Sequence, residues 1–171
     1  MDRWWSPTAA SASTDVRHYW VDRITELEPG VRAVGVKSVA LSEDVFQDHF
    51  PGNPVLPGIY LLEGLAQTAG ALLERTSGGA RIALMVSVDR IRFGEFARPG
   101  DSVRFEVVIE SLEGDVARVR GDATVAGRSV AGGRITFSLV ETERIVPALF
   151  LPYWRHALAI WRGEYPQVRD A

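Results

Sequence analysis

The chain has 171 residues, of which 46% are hydrophobic and 24% charged, a composition typical of one folded domain. It contains no Cys, which excludes disulfides, a thiolate nucleophile and Cys-ligated metals. With 19 basic and 22 acidic residues the net charge is -3, so electrostatics give no reason to expect nucleic acid as a partner. No apolar run reaches the roughly 20 residues of a membrane span, and no signal-peptide pattern opens the sequence, so we expect a cytoplasmic protein.

The first half of the chain is predicted to contain a leader, two strands and a stiff loop. Residues 1–14 are mostly small and polar, which predicts a flexible leader. A strand is predicted over residues 19–27 and a second one, with one solvated face, over residues 31–41. Residues 48–58 include three Pro and two Gly, which exclude a helix interior and require a defined loop.

A helix is predicted over residues 59–75, because Pro57 suits a helix start and Gly78-Gly79 a helix end. Its apolar residues lie nearly all round the helix. This pattern predicts a helix that is wrapped by other structure and does not lie on a surface.

Four further strands are predicted at residues 82–93, 101–112, 116–125 and 128–140, and short turns separate them. Such a succession predicts an antiparallel meander. One helix against a highly curved antiparallel sheet belongs to the α+β class. The domain is therefore placed at residues 15–143.

Residues 144–171 form a tail with its own pattern. Its large apolar residues recur at helical spacing: Leu151, Trp154, Leu158 and Trp161. We expect a short amphipathic helix that packs on the body of the protein or on a neighbouring subunit.

One constellation in the loop and helix could carry proton-transfer chemistry. His49 lies in the stiff loop and can accept a proton. Glu63 lies about a turn and a half into a helix predicted to be buried, where lost hydration would raise its pKa. Between them, the Gly58 and Ile59 N–H groups at the helix start have no intrahelical partner and can bind a developing oxyanion. A base, an acid and an oxyanion donor suit proton abstraction beside a thioester carbonyl with loss of a 3-hydroxyl.

The run DHFPGNPVLPGIYLLEGLAQTAG, residues 48–70, resembles the signature of the (3R)-hydroxyacyl-[acyl carrier protein] dehydratases of the hydroxydecanoyl/hydroxymyristoyl type. Residues 21–30 and 88–101 are also similar to that family, so the resemblance extends over roughly residues 21–139. It implies the hot-dog fold, a curved antiparallel sheet wrapped around a central α-helix. It also implies dehydration to a trans-2-enoyl thioester with no cofactor and no metal.

The same resemblance assigns the site residues. It implies His49 as the base at C2, Glu63 as the group that handles the departing hydroxyl, and the Gly58 N–H as the donor to the thioester oxygen. One branch of the family also isomerises the double bond and typically has Asp at this helix position, whereas the branch that only dehydrates has Glu. Glu63 therefore points to the second branch. The substrate-binding region also includes Phe50, Pro57 and Tyr60, while Gln67 is interpreted as structural.

The resemblance also implies partners. The substrate is expected to be a thioester of acyl carrier protein or coenzyme A, from fatty acid or polyketide-type biosynthesis. The protein is expected to be a homodimer whose sites take His from one subunit and the acid from the other, with a trimer of dimers left open. Glu95, in a stretch that is commonly basic in the family, and the extra tail favour a specialised carrier protein.

Two other functions remain open on the sequence. A hot-dog thioesterase would hydrolyse the thioester by an acid-positioned water and would not need His49. A non-catalytic acyl-thioester-binding module on the same fold is the second alternative. A nucleic-acid role has no supporting feature, and the three His are too scattered in the sequence to predict a metal site.

Overall fold

The computed structural model describes residues 19–148, 151, 155, 158, 159 and 161–163. The predicted leader and Trp154 lie outside the described residues. The elements are the strands β1 (Arg23–Glu28), β2 (Arg32–Ser38), β3 (Arg81–Phe93), β4 (Ser102–Glu113), β5 (Val116–Val125) and β6 (Arg128–Glu141), the helices α1 (Gly58–Thr76) and α2 (Thr142–Ile145), and a 3-10 turn at Asp44–Gln47.

The strands form one antiparallel sheet of six strands in the order β1-β2-β4-β5-β6-β3. The prediction of a four-strand meander is wrong for β3, which pairs with β6 at one edge and not with β4. The chain after β3 does not turn back tightly. The Gly94 N–H still donates to Val130 O of β6 (2.9 Å), and the Gly100 N–H donates to Val39 O just after β2 (2.9 Å). Residues 94–101 therefore cross from one part of the sheet to the other.

The helix α1 packs against one face of the curved sheet. Alternate strand residues on that face are fully buried, as in β4, where Val103, Phe105 and Val107 have no exposed surface. Gly64 of α1 faces Phe105 so closely that a Cβ at Gly64 would lie 2.2 Å from the ring. Only glycine allows the helix this close approach to the sheet.

One face of α1 is open in the single chain. Ile59, at its start, is 64% exposed, and Glu63 is also exposed. A Cβ added at Gly70 would meet no atom within 4 Å. The expected burial of Glu63 is therefore not found in the single chain, because the sheet covers the opposite side of the helix.

Part of the tail lies against the body of the protein. Leu158 and Trp161 are buried, with 5% and 6% of their surface exposed. The Trp161 indole N–H donates to Val21 O (2.7 Å), and its ring stacks on Tyr19 with centroids 5.2 Å apart. Arg162 lies 3.7 Å from a carboxylate oxygen of Glu74 on α1. The tail thus contacts both the segment before β1 and the central helix.

Within the described residues, no helix combines the length and the apolar character that a membrane span requires.

Candidate active site

His49 is held at the start of a loop, residues 48–57, that we call the histidine loop. Its N–H donates to Val45 O of the 3-10 turn (3.0 Å), and its carbonyl accepts from the Val55 N–H (2.9 Å). The peptide bond between His49 and Phe50 is cis, and the two rings stack with centroids 4.2 Å apart. The imidazole is half-buried and Phe50 is exposed.

The histidine loop is fastened to the crossing segment between β3 and β4. Arg98 Nη1 donates to Asn53 Oδ1 (2.7 Å) and to Pro54 O (3.1 Å). The Leu56 N–H donates to Ala97 O (2.8 Å). These bonds satisfy the backbone of a segment whose prolines cannot enter a regular ladder. The position of His49 therefore depends on non-local contacts as well as on the loop sequence.

The histidine loop leads directly into the N-terminus of α1. Pro57 is the N-cap residue and Gly58 the first helical residue, so the Gly58 N–H has no intrahelical acceptor. No described backbone carbonyl accepts from it either. A Cβ at Gly58 would lie 2.8 Å from the Phe93 ring, so a side chain here would collide with the end of β3. The Gly58 N–H is thus an available donor beside an aromatic wall.

Glu63 and Gln67 lie one helical turn apart on α1 and are hydrogen-bonded. Gln67 Nε2 donates to Glu63 Oε1 (2.8 Å), while Gln67 Oε1 accepts from the N–H groups of Trp20 (2.8 Å) and Val21 (3.2 Å). Backbone N–H groups can only donate, so they require the carboxamide oxygen on their side. The NH₂ group is consequently directed at the carboxylate.

Tyr60 lies half-buried beside this pair. Its ring stacks on Trp20 with centroids 4.3 Å apart, and the Lys37 ammonium lies 4.8 Å from the Trp20 ring. The Trp20 indole nitrogen is buried and finds no hydrogen-bond partner among the residues that the structure describes. Tyr60 therefore belongs to the Trp20 side of α1.

The structure brings some of the predicted residues together within one chain and not others. His49, Phe50, Pro57 and Gly58 lie along the histidine loop and its junction with α1. Glu63 follows on the same helix, but no hydrogen bond or ion pair joins it to His49 among the described residues. In that part of the chain, no three His, Asp or Glu side chains are grouped so as to hold a metal ion.

Comparison with known proteins identifies the family. The family model described as a FabA-like domain matches residues 18–134, and the chain belongs to this family. A 3-hydroxyacyl-[acyl-carrier-protein] dehydratase FabZ of Chloroflexus aggregans is 43% identical over 125 residues, covering 72% of this chain and 87% of that protein. The FabZ of Thermomicrobium roseum is 44% identical over 124 residues, covering 72% and 83%.

Solved structures agree with the expected hot-dog fold. A hot-dog-like protein from Thermanaerovibrio acidaminovorans superposes with a TM-score of 0.57 at 21% identity, covering 76% of this chain and 93% of that one. The smu.793 protein of Streptococcus mutans, solved with acetyl CoA, gives a TM-score of 0.56 at 16% identity, covering 70% and 88%. At this identity the two structures bear on the fold alone.

Sequence reasoning missed the contact that Gln67 makes. The spacing of four residues from Glu63 on a predicted helix is the signal that could have found it. Nothing in the sequence pointed to the backbone of Trp20 and Val21 as the group that orients the carboxamide, because that contact joins positions 46 and 47 residues apart.

Proposed function

We propose that this protein dehydrates a (3R)-hydroxyacyl thioester, carried by an acyl carrier protein in fatty acid biosynthesis, to the trans-2-enoyl thioester. The observation that carries the proposal is a histidine loop that leads into the Gly58 N–H, which donates to no described backbone carbonyl, with Glu63 further along the same helix. Membership of a family whose relatives are named dehydratases supports the reaction class.

Each residue has a role that its chemistry permits. The His49 imidazole removes a proton from C2, and the Gly58 N–H donates to the thioester oxygen as negative charge develops there. Glu63 gives a proton to the 3-hydroxyl, which leaves as water while the C2=C3 double bond forms. The C2–H and C3–O bonds break, and no oxidant or reductant is needed.

A second copy of the chain is proposed to complete the site. The open face of α1 is small and apolar around Ile59 and Gly70. The edge strand β3 exposes Leu84, Met85 and Val86, the last by 60%. Long edge strands with exposed apolar residues favour pairing with another chain. Two copies joined along β3 would bring the open faces of α1 together and place Glu63 of one chain near the histidine loop of the other.

The reaction is tested with a panel of 3-hydroxyacyl substrates on acyl carrier protein and on coenzyme A. Dehydration gives an enoyl thioester, whereas a thioesterase releases a free thiol and a binding module gives neither. Preference for the carrier protein is expected. Free thiol without enoyl product would overturn the proposal in favour of hydrolysis, and binding without turnover would favour the non-catalytic module.

The site assignment is tested by His49→Ala and Glu63→Gln. Each variant is expected to lose turnover by about 10²–10⁴-fold, the usual contribution of a proton-transfer group. The change Asp44→Asn, at an exposed acid on the 3-10 turn, serves as the control and should leave turnover unchanged. Near-normal turnover in either folded site variant would contradict its assigned role.

A further inference from the structure

The segment that precedes β1 lies between the tail and the proposed acid. The peptide N–H groups of Trp20 and Val21 bind Gln67 Oε1, and Val21 O accepts from the Trp161 indole. Val21 is buried, with 1% of its surface exposed, so a ring that covers its carbonyl without donating to it would leave that carbonyl unpaired. The N–H of Val21 thus contacts the helix α1, and its carbonyl contacts the tail.

The side chains of the segment have contacts of their own, because the Trp20 ring stacks on Tyr60 and the Val21 side chain lies in the core. The Asp22 N–H, which belongs to the same peptide unit as the Val21 carbonyl, donates to Val36 O of β2 (2.8 Å). Tyr19 stacks on the Trp161 ring. The regular pairing of β1 with β2 begins only at Arg23. The backbone polar groups of Trp20 and Val21, in contrast, bind Gln67 and Trp161.

We propose that Trp161 is a positioning residue for Glu63, acting through the Val21 carbonyl and the carboxamide of Gln67. Loss of the indole N–H leaves the Val21 carbonyl unpaired, and residues 19–21 are expected to shift so that the carbonyl reaches another donor. This shift moves the N–H groups of Trp20 and Val21 away from Gln67 Oε1. The carboxamide then loses the contacts that direct its NH₂ group at Glu63. Trp161 lies beyond residue 134, where the match to the family model ends.

This inference rests on the acid role proposed for Glu63. The variants to compare are Trp161→Phe, which keeps the aromatic ring and removes the donor, Gln67→Ala and the double variant. Arg162→Gln is the matched control, because it breaks the contact of the same tail with Glu74 and leaves the Val21 bond in place. Turnover, KM and the urea midpoint are measured for each folded protein.

Trp161→Phe is expected to lower kcat about tenfold with KM nearly unchanged, since a small misplacement of a reacting group is costly. In the Gln67→Ala background the same change is expected to have no further effect on kcat, because both residues act on one contact. Arg162→Gln is expected to alter stability and not kcat. A purely structural tryptophan would lower the urea midpoint and leave kcat unchanged.

An unchanged kcat in Trp161→Phe, or effects that multiply in the double variant, would overturn the inference. Where Trp161→Phe does not fold, Leu158→Val gives the second test, because Leu158 is buried in the same tail. Leu158→Val is expected to lower kcat in the wild-type background and to have no further effect on kcat in the Gln67→Ala background. An unchanged kcat in the wild-type background, or a further loss in the Gln67→Ala background, would overturn the inference. Glu63→Gln separates the two proposals. If Glu63→Gln keeps its activity, the acid role of Glu63 is contradicted. If Glu63→Gln is inactive while Trp161→Phe has normal kcat, only the role of the tail is contradicted.

Discussion

Tyr19 is an ionisable side chain that lies between the tail and the body of the protein. Its ring stacks on Trp161, and burial raises the pKa of its phenol above the ordinary value of 10.0. Burial disfavours the phenolate, so the folded state binds this proton more tightly than the unfolded chain does. The stability contributed by the neutral phenol is complete below pH 10 and is lost as the pH rises through the folded pKa.

We therefore expect wild type to lose more unfolding free energy than Tyr19→Phe between pH 9 and about pH 11. Urea unfolding of both proteins across that range measures the difference, and comparison at pH 7 provides the baseline. Parallel pH curves for the two proteins would show that Tyr19 does not titrate differently in the folded state.

The residues proposed to carry the chemistry could be predicted from the sequence because they occur in a short, ordered motif. His49, Gly58 and Glu63 all fall within residues 48–70, and the prolines around them restrict the backbone locally. The exposure of Glu63 in the single chain could not be predicted. Helical periodicity shows which side chains are apolar, but it does not show which side of the helix the chain's own sheet covers.

At the scale of elements, β3 combines a long unpaired edge with exposed apolar side chains. We expect Val86→Lys to weaken association between copies, because a charged residue on an edge strand opposes strand pairing. The sample would shift toward the mass of one chain in light scattering. Val116→Lys is the matched control, since Val116 is 43% exposed on a strand that is paired on both sides.

An unchanged mass for Val86→Lys would mean that β3 is not the contact between copies. Equal dissociation by both lysine variants would point to added charge in general and not to the edge.

The strands and the helix could be predicted from local sequence signals, but their arrangement in the sheet could not. After α1, every predicted strand boundary lies within one residue of the observed one, because Gly and Pro mark the turns. The pairing of β3 with β6 brings Arg81 opposite Glu141, and no local pattern determines that register. The crossing of residues 94–101 depends on contacts with Val39 and Leu56, which are distant in sequence.

At the scale of the whole molecule, the proposed shared site predicts complementation between two inactive variants. His49→Ala and Glu63→Ala are co-expressed, each inactive alone. Random pairing gives about half heterodimers, and in each heterodimer one site has both wild-type residues while the other has neither. About a quarter of wild-type activity is therefore expected in a turnover assay.

If both residues of a site came from one chain, every site in the mixture would lack one of them. Zero activity from verified heterodimers would thus contradict the shared site. Each variant expressed alone gives the background that the measurement needs.

The bond between Val21 and Trp161 also has a consequence for the order of folding. It joins residues 140 positions apart, a far larger loop than any hairpin of the sheet closes. Closing a large loop costs more chain entropy, so contacts of this kind form late and are among the first to open. The bond should therefore open in a partial unfolding that leaves the sheet intact. Since the amides of Trp20 and Val21 bind Gln67 through the same segment, they should exchange with deuterium together with the Trp161 indole and ahead of the central strands.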